Sequence, residues 1–110
     1  MDFKRKPTIL EISIIQQLLT KSGINLNANW ENQLVVTPMN DGGMGSLKLS
    51  LDAENNSFRQ FGREVSQLSF IDTDGIEVLV SLFVDKQENL FELDVWKTDF
   101  SKLLSFPFVK

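Results

Sequence analysis

Cysteine and histidine are both absent from this 110-residue sequence, and so is tyrosine. Without cysteine there is no disulfide framework, no thiolate nucleophile and no sulfur-ligated metal centre. Without histidine, the chain lacks the side chain most used for proton transfer near neutral pH and for binding zinc, copper or iron, and with it the Ser-His-Asp and Cys-His triads. Any chemistry falls to carboxylates, Lys, Arg, Ser and Thr, so the expectation is a non-enzyme with no cofactor and no metal. No run approaches the roughly 18 consecutive apolar residues that span a bilayer. The basic start, Met1-Asp2-Phe3-Lys4-Arg5-Lys6-Pro7, leads into an apolar stretch that Glu11, Gln16 and Gln17 interrupt, which argues against a signal peptide. A cytoplasmic location without a membrane partner is therefore expected.

Proline and glycine are also sparse, at three and six, and no linker-like composition divides the chain, so residues 1–110 are read as one domain. Hydrophobic residues make up 42%, with nine Phe and two Trp, enough to bury a core without disulfides or metals.

Thr8-Ile9-Leu10-Glu11 matches a capping box, and Leu10, Ile14 and Leu18 recur at helical spacing until Lys21 and Gly23 signal an end. This pattern predicts a helix over about 9–21. Leu34 to Thr37 reads as a strand that Pro38 confines to an edge or an end. Residues 41–45 read as a turn leading into Leu47, Leu49 and Leu51, which alternate with polar residues and pair with the preceding strand. After a turn at 52–56, Val65 to Ile71 forms a further strand, and Asp72-Thr73-Asp74-Gly75 reverses the chain. Ile76 to Val84 is the most apolar run and is expected to be the central strand. Residues 85–89 turn into Leu90 to Trp96, where Phe91, Leu93 and Val95 are expected inside and Glu92, Asp94 and Trp96 outside. Thr98 or Asp99 is expected to cap a short final helix carrying Phe100, Leu103 and Leu104, limited by Pro107. The fold class is α+β: a mostly antiparallel meander of about five strands, an N-terminal helix packed on one face and a short C-terminal helix.

Three stretches invite chemical readings. Asp41-Gly42-Gly43-Met44-Gly45-Ser46 could approach a phosphate, but it lacks the Gly-Lys-Ser/Thr ending of a P-loop and leads into a strand, so a hairpin turn is the expectation. Asp72-Thr73-Asp74-Gly75 resembles part of a calcium loop without its later ligands, and is read as a turn. Residues 71–100 carry eight acidic side chains against Lys86 and Lys97, more negative than the net charge of −4 for the whole chain. Such a segment repels nucleic acid and attracts basic proteins; the plainer alternative is an acidic, solvated strand face. Lys4-Arg5-Lys6 is read as a solvated end. Trp30 and Trp96 weigh core packing against a binding hot spot, with Trp96 sharing a face with Glu92 and Asp94.

The stretches Asp41-Gly42-Gly43-Met44-Gly45-Ser46-Leu47, Asp72-Thr73-Asp74-Gly75-Ile76 and Phe91-Glu92-Leu93-Asp94-Val95-Trp96-Lys97-Thr98-Asp99-Phe100 resemble those of a family of small uncharacterised bacterial proteins. That resemblance covers residues 8–104 and implies no activity for individual residues. In size, acidity and lack of catalytic groups the chain is also similar in type to immunity proteins of bacterial toxin–immunity systems, including contact-dependent inhibition. This implies binding and blocking a cognate toxin, often a basic nuclease. The leading expectation is therefore occlusion of a toxin domain by an acidic surface, with Asp85, Glu88, Glu92, Asp94 and Asp99 supplying charge and Trp96 an apolar anchor. The rivals are a regulatory or housekeeping protein-binding module or homodimer, and a carboxylate-based hydrolase.

Overall fold

The computed structural model describes residues 4–40, 42–51 and 59–105. Helix α1, Ile9–Ser22, starts where the capping box places it: the Thr8 hydroxyl accepts from the Glu11 amide at 3.1 Å and the Glu11 carboxylate accepts from the Thr8 amide at 2.8 Å. It ends at Gly23, whose φ of 78° is the left-handed conformation that glycine adopts without strain. Arg5 belongs to the structure and not to a loose end. Its backbone bridges to Val36 and its guanidinium forks onto Glu11, with both contacts at 2.8 Å. A one-turn helix α2, Trp30–Gln33, buries Trp30 and leads into the sheet.

Five strands follow: β1 Leu34–Pro38, β2 Leu47–Leu51, β3 Phe61–Ile71, β4 Glu77–Asp85 and β5 Leu90–Lys97. All pairings are antiparallel, in the order β1-β2-β5-β4-β3. This is not a simple meander, because β5 inserts between β2 and β4. The central strand is thus β5 rather than β4, the most apolar run. Hydrophobicity reported that β4 is an inner strand, but not its rank among the inner strands. Pro38 does end an edge strand, and β1 and β2 form the expected hairpin.

Ile14, Ile15, Leu18 and Leu19 of α1 share one core with Leu34, Val36, Leu47, Leu49, Val78, Val80, Leu82, Leu90, Leu93 and Val95. The period of two puts these strand residues on one face of the sheet and their neighbours on the other, except that Leu90 joins them through a register shift.

The structure differs from the expectations at three other points. β3 begins at Phe61, four residues early, because register shifts between Phe61 and Arg63 and between Glu64 and Ser66 break the alternation. Gly62 sits in this irregularity, where a Cβ would lie 2.4 Å from the Asp85 carbonyl oxygen. A third shift, between Phe83 and Val84, makes Leu90, not Phe91, the core residue, and the half-buried Phe91 ring lies under the Arg59 guanidinium at 5.2 Å. Finally, the short C-terminal helix is absent from residues 98–105. Asp99 accepts from the amide and hydroxyl of Ser101, Phe100 adopts a φ of 65°, and the Leu104 and Ser105 amides donate to Asp72. Side-chain acceptors thus take the amides in a turn instead of a helix. The turn expected at 52–56, Asp41 and Pro107 lie outside the described residues.

Candidate functional site

Strand β5 sorts its side chains by parity. Leu93, Val95 and Lys97 point inward, while Glu92, Asp94 and Trp96 point to the other face of the sheet, the first two half-buried and Trp96 41% exposed. Glu92 lies opposite Lys48 on β2 and Phe83 on β4, and Asp94 lies opposite Ser81. Neither carboxylate forms a salt bridge within the described residues. Burial, reinforced by the neighbouring Asp94 carboxylate and only partly countered by Lys48, pushes the Glu92 carboxyl up to about 7. Next along the strand, the Trp96 ring meets that of Phe100 at 5.5 Å and 57°. An open concavity of about 390 Å³ lies here, lined by Met39, Met44, Ser46, Glu92, Asp94, Val95, Trp96 and Phe100.

On its other side Glu92 borders a smaller hollow of about 260 Å³ with Lys48, Leu49, Arg59 and Phe91. Arg59 is already engaged there: it donates to Asp85 at 2.9 Å, to the Leu49 carbonyl at 2.8 Å and to the Leu90 carbonyl.

The other expected partner-binding residues are placed differently. Asp85 is fully buried. Burial raises its carboxyl, but the Asn89 amide, Arg59 and the Gln87 amide outweigh that and hold it below its ordinary value. It therefore shapes the β4–β5 turn and presents no charge to solvent. Glu88 is exposed but paired with Arg63, which lowers its carboxyl. Asp99 is exposed and occupied by Ser101, whose two donors lower it. The structure thus brings Glu92, Asp94 and Trp96 together and leaves Asp85 and Glu88 at the opposite end of β5.

A further cluster was not foreseen. Lys97 is fully buried, and its ammonium donates to Asp72 at 2.9 Å, to Asp74 at 2.5 Å and to the Lys102 carbonyl at 3.3 Å. The Leu104 amide is the largest influence holding Asp72 far below the carboxylate range; burial opposes it and Lys97 adds to it. The parity of β5 carried the signal, because Lys97 continues the inward series of Leu93 and Val95 and so requires buried acceptors. Arg59 had no such signal, since its partners lie 10, 26 and 31 positions away. Within the described residues no group of three or more acidic side chains is arranged to hold a metal ion, and no helix is long and apolar enough to cross a membrane.

The family model for a domain of unknown function, DUF6984, matches residues 4–107. The chain belongs to that family. The match spans the sheet, α1 and the Glu92 concavity, so the whole arrangement above lies within the DUF6984 domain, whose description states no activity. No curated protein and no solved structure matches the chain.

Proposed function

We propose that the chain is a protein-binding module that docks a basic partner on the face of β5 bearing Glu92, Asp94 and Trp96. In its most specific form the partner is a bacterial toxin domain, which the module inactivates by occlusion. The observation that carries this reading is a pair of half-buried carboxylates without a salt bridge among the described residues, set beside two exposed aromatic rings. Acidic groups that meet no salt-bridge cation among the described residues favour an oppositely charged surface, and exposed Trp is a frequent anchor in such contacts. Of the acidic residues in 71–100, Asp72, Asp74, Asp85 and Glu88 are already tied to Lys97, Arg59 or Arg63, and Glu77 and Asp99 accept from Ser69 and Ser101, which favours Glu92 and Asp94 as the docking face.

The test is capture of partners by the tagged protein from its host at low and moderate salt, beside a double variant with Glu92→Lys and Asp94→Lys. A basic protein retained by the native chain, lost with salt and lost by the double variant, supports docking at this face. If that protein's isolated domain arrests growth and co-expression of the native chain restores it, the toxin–immunity form is supported. Retention indifferent to both salt and charge reversal overturns the proposal.

A second reading draws on Glu92 alone. A carboxyl near 7 beside another carboxylate is the arrangement used for general acid–base catalysis, so a carboxylate-based hydrolase remains the rival. It requires turnover of a substrate that Glu92→Gln abolishes.

A further inference from the structure

We propose that the concavity beside Glu92, Asp94, Trp96 and Phe100 is a seat for one arginine side chain of the protein partner, its guanidinium against the rings and hydrogen-bonded to the two carboxylates. The inference rests on the protein-binding reading above and names the group that face recognises.

Glu92 and Asp94 are separated by one residue on the same face of β5, and both line the concavity with their carboxyls near enough to hydrogen-bond to each other. A guanidinium presents five donors in a planar fork and can serve two acceptor groups at once, whereas an ammonium is a point charge. The Trp96 ring is partly open to solvent, and an aromatic face near a cation adds electrostatic attraction that a neutral side chain does not receive. Met39 lines the same concavity and offers a soft apolar wall for the methylene stem.

The arginine is assigned to another kind of protein, because a guanidinium of this chain would first have to leave its own carboxylate. This chain has three arginines, and each is already paired: Arg5 with Glu11, Arg59 with Asp85 and Arg63 with Glu88. A second copy therefore has no unpaired guanidinium to offer. Among the cations near the pair, Lys48 faces Glu92 from β2 without forming a salt bridge, and Arg59 is held by Asp85 and two carbonyls.

The test uses N-acetyl-arginine amide, with the neutral citrulline and the lysine analogues as comparisons, titrated at pH 8 and low salt into the isotope-labelled full chain. The readouts are backbone amide shifts and the titration of the Glu92 carboxyl. Saturable shifts confined to Glu92 through Trp96 and Phe100 are expected, with a Kd on the order of millimolar for so small a probe. The citrulline analogue should bind at least about 10-fold more weakly. A bound arginine should also lower the pH at which Glu92 gains its proton. A double variant with Glu92→Gln and Asp94→Asn, its spectrum otherwise dispersed like that of the native chain, should lose the response. Equal responses to citrulline or lysine, or a response that survives in the double variant, overturn the seat. If arginine amide gives no response while partner capture remains sensitive to charge reversal, the seat falls and the binding module stands.

Discussion

Asp72 and Asp74 in the β3–β4 turn, and Glu92 and Asp94 in β5, are carboxylate pairs with the same one-residue separation and opposite surroundings. Between the first pair lies Lys97, delivered inward by β5 and fully buried, together with the Leu104 and Ser105 amides on Asp72. The second pair faces away from the core on the same strand and has no salt-bridge cation among the described residues. The consequence shows in their protons, with Asp72 held far below the usual carboxylate range and Glu92 pushed up to about 7. A carboxylate pair closed around a buried cation serves the fold. A pair without a salt-bridge cation among the described residues raises the proton affinity of one member instead, which is the feature the proposed docking face rests on.

Removing the cation from the closed pair should have the largest effect. Lys97→Met keeps a long apolar stem in the same space but leaves Asp72 buried opposite nothing positive. Breaking a buried pair from one side strands the remaining charge, so the thermal midpoint should fall by roughly 10 °C or more, followed by circular dichroism. The turn at 98–105 should loosen with it, since Asp72 and Lys97 both hold that segment. A change of only a degree or two would mean that the closed pair does not differ from the open one in its contribution to the fold.

Much of this contrast could be read in the sequence, because it depends on parity. Leu93, Val95 and Lys97 against Glu92, Asp94 and Trp96 is a period-two pattern, and its outward half was recognised as a candidate surface. The capping box at Thr8 and the glycines of the β1–β2 turn were equally local and equally legible. What escaped was whatever a single strand's pattern does not contain. Asp85 reads as one more exposed acid until Arg59, 26 positions away, closes on it. Register shifts at Phe61, Glu64 and Phe83 reset the alternation, hiding the start of β3 and turning Phe91 out of the core. The final helix failed for a similar reason: Asp72 takes the Leu104 and Ser105 amides that a helix would have used internally, and it is 32 positions from Leu104.

The open pair should show the opposite sign from the closed one. Glu92 holds its proton up to about pH 7 in the folded chain and only to its ordinary value of 4.5 when unfolded. Its contribution to stability is therefore complete below the unfolded value, declines as pH rises and is gone above 7. Asp72, Asp85 and Glu11 are lowered, so their contributions are present above their unfolded values and are lost as pH falls through the folded ones. Stability should thus peak near pH 5 and fall by roughly 3–5 °C in thermal midpoint between pH 5 and 8, a modest change because Glu92 is only half-buried. Glu92→Gln should flatten that upper limb and be more stable than the native chain at pH 8. An unchanged upper limb in the variant would assign the decline to another group.

The smallest effect discriminates most finely within the open pair. Burial is the main cause of the raised Glu92 carboxyl, Asp94 adds to it and Lys48 opposes it. Asp94→Asn should then move the midpoint of Glu92, followed by carboxyl carbon shifts across pH 4 to 9, down from about 7 without restoring the ordinary value, since burial persists. Lys48→Met should move it upward. Both substitutions should leave the thermal midpoint within a degree or two, because both groups lie at the surface side of the sheet. Opposite displacements from one strand neighbour and one cross-strand neighbour would establish that Glu92 answers to charges placed beside it, which is the property a partner's arginine would use. If both variants titrate like the native chain, Glu92 is governed by burial alone, and the open pair differs from the closed one in solvation rather than in its unmet charge.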